Sequence, residues 1–298
     1  MPGTGHETIR TWARGRLCCG ASIAACTLGP FSQALGPETS ALTPVPAARR
    51  PTAAPDSAND FRPPAWMRRQ DRARTNVEAL VSDFDDWVRR FEASGAFSGP
   101  SVYFHERAIE RRRLHTTTAG LLADQLFLEY VYAVLPSWGM HRMGGPAKVS
   151  EFSQLAASLQ AATPIIEALW PLNITRLDPA SVSAISQRGW QVIAAIRAST
   201  SETQIVAGSK TPHHVLPDLI PPIDRQYTFR FFTGQKVIPS GERAFLEWFP
   251  YFAEIGQRCR GPINAAISRG GLMATGPSKV IDNAIIGFMQ ARAGRSAL

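Results

Sequence analysis

The chain has 298 residues, 44% of them hydrophobic, a formal charge of +8 and four cysteines. That length holds one large domain or two small ones, and the apolar fraction suffices for a sizeable core. Three cysteines fall at 18, 19 and 26 and only Cys259 lies in the body, which excludes a disulfide-stapled scaffold; no Cys/His group has zinc-ligand spacing, and neither metal nor cofactor is expected.

The charge is unevenly placed. Residues 1–76 hold ten Lys/Arg against five Asp/Glu, and residues 77–298 hold twenty-two against nineteen. The body is therefore only mildly basic, and composition alone does not demand nucleic acid. Arg107, Arg111, Arg112 and Arg113 do cluster, with Glu106 and Glu110 interleaved as on a solvated helix face. Arginine outnumbers lysine 28 to 4, so Lys148, Lys210, Lys236 and Lys279 are the unusual cations.

In chain order, residues 1–66 are rich in Ala, Pro, Thr, Ser and Gly with little periodicity, and 38–65 reads as disordered linker. We expect a low-complexity tail over 1–70 and a single helical domain over 71–298. Residues 17–29, after Arg10, Arg14 and Arg16, outline a secretory signal peptide with Ser32 and Ala34 at its cleavage site. A cytoplasmic location is expected, with export the alternative if residues 1–34 are such a peptide. No apolar run reaches the roughly 18 residues that a membrane span needs.

Helical spacing of Val77, Leu80, Val81, Phe84, Trp87, Val88 and Phe91 predicts a helix over 76–93, with a capping box at Thr75 and Glu78 and a stop at Gly95. A second segment spans about 105–114. A third, apolar on most faces, runs from 118 to 134 and is ended by Pro136. Ser150 starts the next, a short piece follows Pro164, and Asp178-Pro179 opens a helix to about 198. Residues 205–216 are read as helix around the histidine pair, and Asp224 as the cap of a segment through Phe232, with a strand over 226–232 as the alternative. Ser240 opens a helix to about 257, and Gly276-Pro277-Ser278 a last one to about 292. The fold class is all-α, with no repeat of solenoid length.

The chemistry concentrates between Ser209 and Arg225. Seventeen residues there hold Lys210, His213, His214, Asp218, Asp224, Arg225 and four prolines. Prolines fix backbone angles, so these polar groups are expected to be held in one arrangement. Gly208-Ser209-Lys210-Thr211 lacks the glycines of a phosphate loop. Lys210 with Asp224 is the candidate catalytic pair, the amine as nucleophile or base and the carboxylate as its partner. His213, His214, Asp218, Arg225, His141, Arg142 and Trp138 are candidate binding residues. Adjacent histidines on a helix point about 100° apart and do not share a metal easily. Gly276, Ser278 and Lys279 match the second half of a helix–hairpin–helix, in which helix amides and a lysine hold a DNA phosphate. Ala274 stands where that hairpin carries a further glycine.

Three stretches, WGMHRMG, SKTPHHVLPDLIPPIDRQYTFRFF and PSKVIDNAIIGF, resemble the signature of a family of uncharacterised prokaryotic proteins over about residues 95–290. Thr211-Pro212 departs from that pattern, and the resemblance implies no reaction. More distantly, the chain resembles helix–hairpin–helix DNA-repair glycosylases. That likeness implies DNA as a partner, a lysine or an activated water attacking the sugar C1′ with an aspartate facing the developing positive charge, and Lys210 and Asp224 as the candidate pair. The competing expectations are a non-enzymatic interaction or scaffold module built on the proline-rich segment, and a small-molecule enzyme using His213, His214 and Asp218.

Overall fold

The computed structural model describes residues 65–140, 148–200 and 205–295. Among them the fold is all-α: thirteen α-helices joined by turns and short 3₁₀ segments, with one isolated bridge, Val149 to Ser199, in place of any strand. The predicted tail up to residue 64, with the signal-peptide outline, lies outside the described residues.

Helix α1 spans Ala65–Ser82 and α2 Phe84–Ala93. Two expectations change here. Residues 65–70 belong to α1 rather than to a tail, and Thr75 is inside the helix, its hydroxyl donating to the Asp71 carbonyl at 2.8 Å. The helix expected over 76–93 is broken at Asp83, whose backbone at φ −129°, ψ 36° leaves the helical region. Gly95 follows α2 with φ +62°, the left-handed stop expected there.

Helix α3 is Pro100–Arg113, α4 Thr118–Ala123 and α5 Gln125–Ser137. The apolar run expected as one helix is divided because Asp124 caps the amides of Leu126 and Phe127. Pro136 is inside the last turn of α5, one residue short of its end. Helices α6 (Phe152–Ala161) and α7 (Thr163–Leu169) lead to a 3₁₀ turn capped by Asp178 and to α8 (Val182–Ala195). Helix α9 is Ile205–Val215, and α10 is Thr228–Thr233, which removes the strand alternative. Helix α11, Gly241–Arg258, starts at the Ser240 cap as expected. Helix α12, Arg260–Arg269, was not foreseen, since Gly261 and Pro262 are poor helix formers. Helix α13 is Pro277–Arg295.

One continuous apolar cluster runs from Ala73 in α1 to Phe288 in α13. A smaller one, Phe91, Met273 and Ile286, is joined by Phe97 and Trp138. Two glycines let backbones touch: a Cβ on Gly287 of α13 would overlap the Trp87 carbonyl of α2, and one on Gly208 of α9 would stand 2.9 Å from the Ile193 side chain of α8. Helix α9 is central, with all eleven residues buried. No helix of the described residues is long and apolar enough to cross a membrane.

Candidate functional site

Local hydrogen bonding explains how Lys210 and Asp224 meet. Past Val215 the chain turns, the amides of Leu219 and Ile220 both donating to the Leu216 carbonyl. It then returns alongside α9 through Pro221, Pro222 and Ile223. Two bonds hold the return: His213 Nδ1 donates to the Ile220 carbonyl at 2.8 Å, and the Ile223 amide donates to Ser209 Oγ at 2.9 Å. Pairing Ile223 with Ser209 sets Asp224 beside Lys210. The prolines supply stiffness and leave few backbone amides unpaired in this buried run. Asp224 Oδ1 then accepts the amides of Gln226 and Tyr227, both at 2.6 Å, and starts the turn into α10.

Lys210 and Asp224 line one cavity of about 170 Å³ together with Lys279 and Asp282. Its walls are aromatic: Phe97, Trp138 and Tyr227. Lys210 is 7% exposed, and Nζ donates to the Trp138 carbonyl at 3.2 Å. Burial pushes its ammonium below the usual lysine range, against the opposing pull of Asp224 and Asp282, while Lys279 pushes the same way as burial. Burial likewise raises Asp224, and Asp282 is pushed up to about 6, also chiefly by burial.

Lys279 has a different setting. It is 0% exposed, donates to Asp282 Oδ2 at 2.8 Å and to Asn283 Oδ1, and lies over the rings of Phe91 and Phe97 at 5.2 and 5.4 Å from their centroids. It is pinned by an i,i+3 carboxylate and an i,i+4 amide on its own helix, and by aromatic faces. Among the described residues Lys210 has one carbonyl acceptor, no carboxylate within hydrogen-bond distance, and the Trp138 ring at 5.8 Å from its centroid.

Beneath the cavity lies a buried histidine network. His214 Nδ1 reaches the Lys210 carbonyl at 2.7 Å, so it carries the proton and Nε2 accepts. His105 Nδ1 donates to that Nε2 at 3.0 Å, and His105 Nε2 accepts from Thr275 Oγ1 at 2.7 Å. His213 lies parallel to His105, ring centroids 5.8 Å apart. His105 and His214 are neutral by this pattern, while His213 Nε2 has no hydrogen-bond partner among the described residues. Burial, the largest cause for each, depresses His105 and His213 well below the ordinary range and His214 to about 4.

Of the candidates read from sequence, the structure brings together Lys210, Asp224, Trp138 and Lys279. His213 and His214 are packed below the cavity and do not line it. Asp218 faces away, toward Arg112. Arg225 is exposed. His141 and Arg142 lie outside the described residues. The phosphate-holding role expected of the α13 start is corrected: Lys279 is buried, Ser278 Oγ donates to the Pro217 carbonyl at 2.7 Å, and a Cβ on Gly276 would stand 2.8 Å from that same carbonyl. The 216–220 turn occupies the place that a phosphate would need. The arginine cluster of α3 is also committed internally: Arg107 to Glu110, Arg111 to Asp124, Arg112 to the Val215 carbonyl and Arg113 to the Thr275 carbonyl.

Sequence reasoning missed Asp282, Phe97 and Tyr227. Asp282 had a signal, an acid three residues after a lysine in an otherwise apolar helix, where both must be buried and paired. Phe97 had none. Comparison of the chain with protein-family models, with curated proteins and with solved structures finds no match.

Proposed function

We propose that the cavity carries out amine chemistry at a sugar carbon of nucleic acid, with Lys210 as nucleophile and Asp224 as the carboxylate facing the positive charge that develops. The observation that supports this most directly is the convergence of Lys210 and Asp224 on one aromatic-walled cavity. The volume equals roughly five or six waters at about 30 Å³ each, close to a sugar ring. Burial favours the neutral amine, the form that attacks.

The chemistry balances without a cofactor. Lys210 Nζ bonds to C1′ while the glycosidic C1′–N bond breaks, and the base leaves with that electron pair and takes a proton from Nζ. Ring opening gives a Schiff base, the ring oxygen taking a proton, and water hydrolyses it to an aldehyde and free Lys210. At an existing abasic site the aldehyde condenses with Nζ directly, losing water. Asp224, already held by two amides, changes little in position as charge builds, the preorganisation that electrostatic catalysis requires.

Sodium borohydride reduces such a Schiff base to a stable amine, so an abasic oligonucleotide should be trapped covalently on the protein at low salt. Lys210→Ala is expected to abolish the adduct, and Asp224→Asn to slow its formation about a hundredfold, each with an unchanged circular dichroism spectrum. An adduct of undiminished yield in Lys210→Ala, or none in the wild type, overturns the reading.

A further inference from the structure

A second concavity opens beside the first. It has a volume of about 380 Å³ and shares Gln226 and Tyr227 with the Lys210 cavity. Three arginines line it, Arg72 from α1, Arg230 from α10 and Arg292 from α13, and no carboxylate is among its lining residues. Several arginines elsewhere are matched with acids: Arg74 and Arg258 with Glu78 and Glu254, Arg243 with Glu247, Arg89 with Asp85. Among the described residues Arg72 and Arg230 make no ion pair.

The cleft is also shaped. Arg292 Nη1 donates to Asn76 Oδ1, and Asn76 in turn donates to the Phe231 carbonyl, which ties the α13 guanidinium to α1 and α10. Arg72 lies against Gly234, where a Cβ would stand 3.1 Å from the guanidinium; Gly234 is at φ +76°, a position with no side chain to intrude. Arg72 and Arg230, set in a concave wall with no carboxylate among its lining residues, make the potential there positive. The planar guanidinium fork matches phosphate oxygens two at a time.

We infer that this arginine-lined cleft is a phosphate subsite, and that its occupant extends past Gln226 and Tyr227 to place a sugar carbon at Lys210. The second half rests on the proposed function; the phosphate site does not. The phosphate belongs either to a nucleic-acid backbone or to a small phosphate ester, and the two sources are separable.

The test titrates full-length protein with an abasic single-stranded oligonucleotide, with ribose 5-phosphate and with inorganic phosphate, each at two salt concentrations. The wild type is compared with Arg72→Gln/Arg230→Gln, with Lys210→Ala, and with Arg89→Gln/Arg243→Gln, which removes equal charge elsewhere. The cleft variant is expected to bind its phosphate probe roughly tenfold or more weakly, while the charge control binds all three probes as the wild type does and Lys210→Ala binds inorganic phosphate as the wild type does. Loss confined to the oligonucleotide assigns a backbone phosphate; loss extending to ribose 5-phosphate and inorganic phosphate assigns a small ester. Equal affinity of the wild type and the cleft variant for all three probes overturns the subsite, as does an equal loss in the charge control. Arginine-dependent binding without any borohydride adduct upholds the subsite and sinks the Lys210 chemistry. An adduct whose yield at subsaturating oligonucleotide is unchanged in the cleft variant does the reverse.

Discussion

Lys210 and Lys279 are the same side chain in two different roles. Both are buried at one cavity, whereas Lys148 and Lys236 are exposed. In a chain that uses arginine seven times as often, two of the four lysines are buried at one cavity. Lys279 is tied by a carboxylate, an amide and aromatic faces, whereas Lys210 is held by the Trp138 carbonyl and ring, and the proposed function assigns the chemistry to Lys210. The histidines below are held neutral, which has a measurable consequence. Their folded pKa values lie below the unfolded value of about 6.5, so the stability they contribute is present above that pH and is lost as pH falls toward the folded values, about 4 for His214. Asp282 works the other way: its folded value of about 6 makes the folded state take up a proton below pH 6 and offsets part of the loss. Asp218 and Asp224, also raised, act in the same sense as Asp282. Three histidines dominate at the upper end of the window. The melting temperature is therefore expected to fall between pH 7.5 and 5.5, and a scan in which it holds or rises over that range would show that the trio is not neutral in the folded protein.

At the scale of elements, the return of the 209–225 segment along α9 was not legible, but its stiffness was, because proline leaves few backbone conformations open. Helix ends marked by Asp178, Ser240 and Gly276-Pro277 were legible for the same local reason. The breaks at Asp83 and Asp124 were not, because apolar spacing continues across both; a non-helical backbone at Asp83 and the capping bonds of Asp124 mark them. The start of α1 was hidden by its polar first turns, and α12 by Gly261 and Pro262. Glycine contacts between helices were also invisible in sequence, and they bear on the site. Gly287 lets α13 lie directly on α2, which holds Lys279 and Ile286 of that helix against Phe91. A methyl group there meets backbone, which cannot rotate away. Gly287→Ala is expected to destabilise the protein by about 1–3 kcal/mol or more, read as a lower urea midpoint with an unchanged slope. Gly294→Ala, on the same helix with open space around it, should leave the midpoint where it is. Equal midpoints for the two variants would mean that the helices separate at no cost.

On the scale of the whole molecule, the cavity exists only where distant segments meet: Phe97 before α3, Trp138 after α5, Lys210 to Tyr227 around α9, and Lys279 to Ile286 on α13. Local pattern could name Lys210 and Asp224, because the turn that joins them is encoded between them. It could not name Phe97 or Tyr227 as wall, because their partners are far along the chain and the convergence is a property of packing. The apolar cluster that makes it happen is continuous from α1 to α13, and each cavity segment is anchored in that cluster or in the small one around Phe91. A site built this way has no independent foldon to persist in when the core melts. Covalent trapping of the abasic oligonucleotide should then be lost at the same urea concentration as far-UV circular dichroism, as in a single cooperative transition. Trapping that disappears well before the helices melt would mean that the cavity opens as a separate unit, and that the bonds from α9 to Ile220 and Ile223 do not carry the core's stability to Asp224.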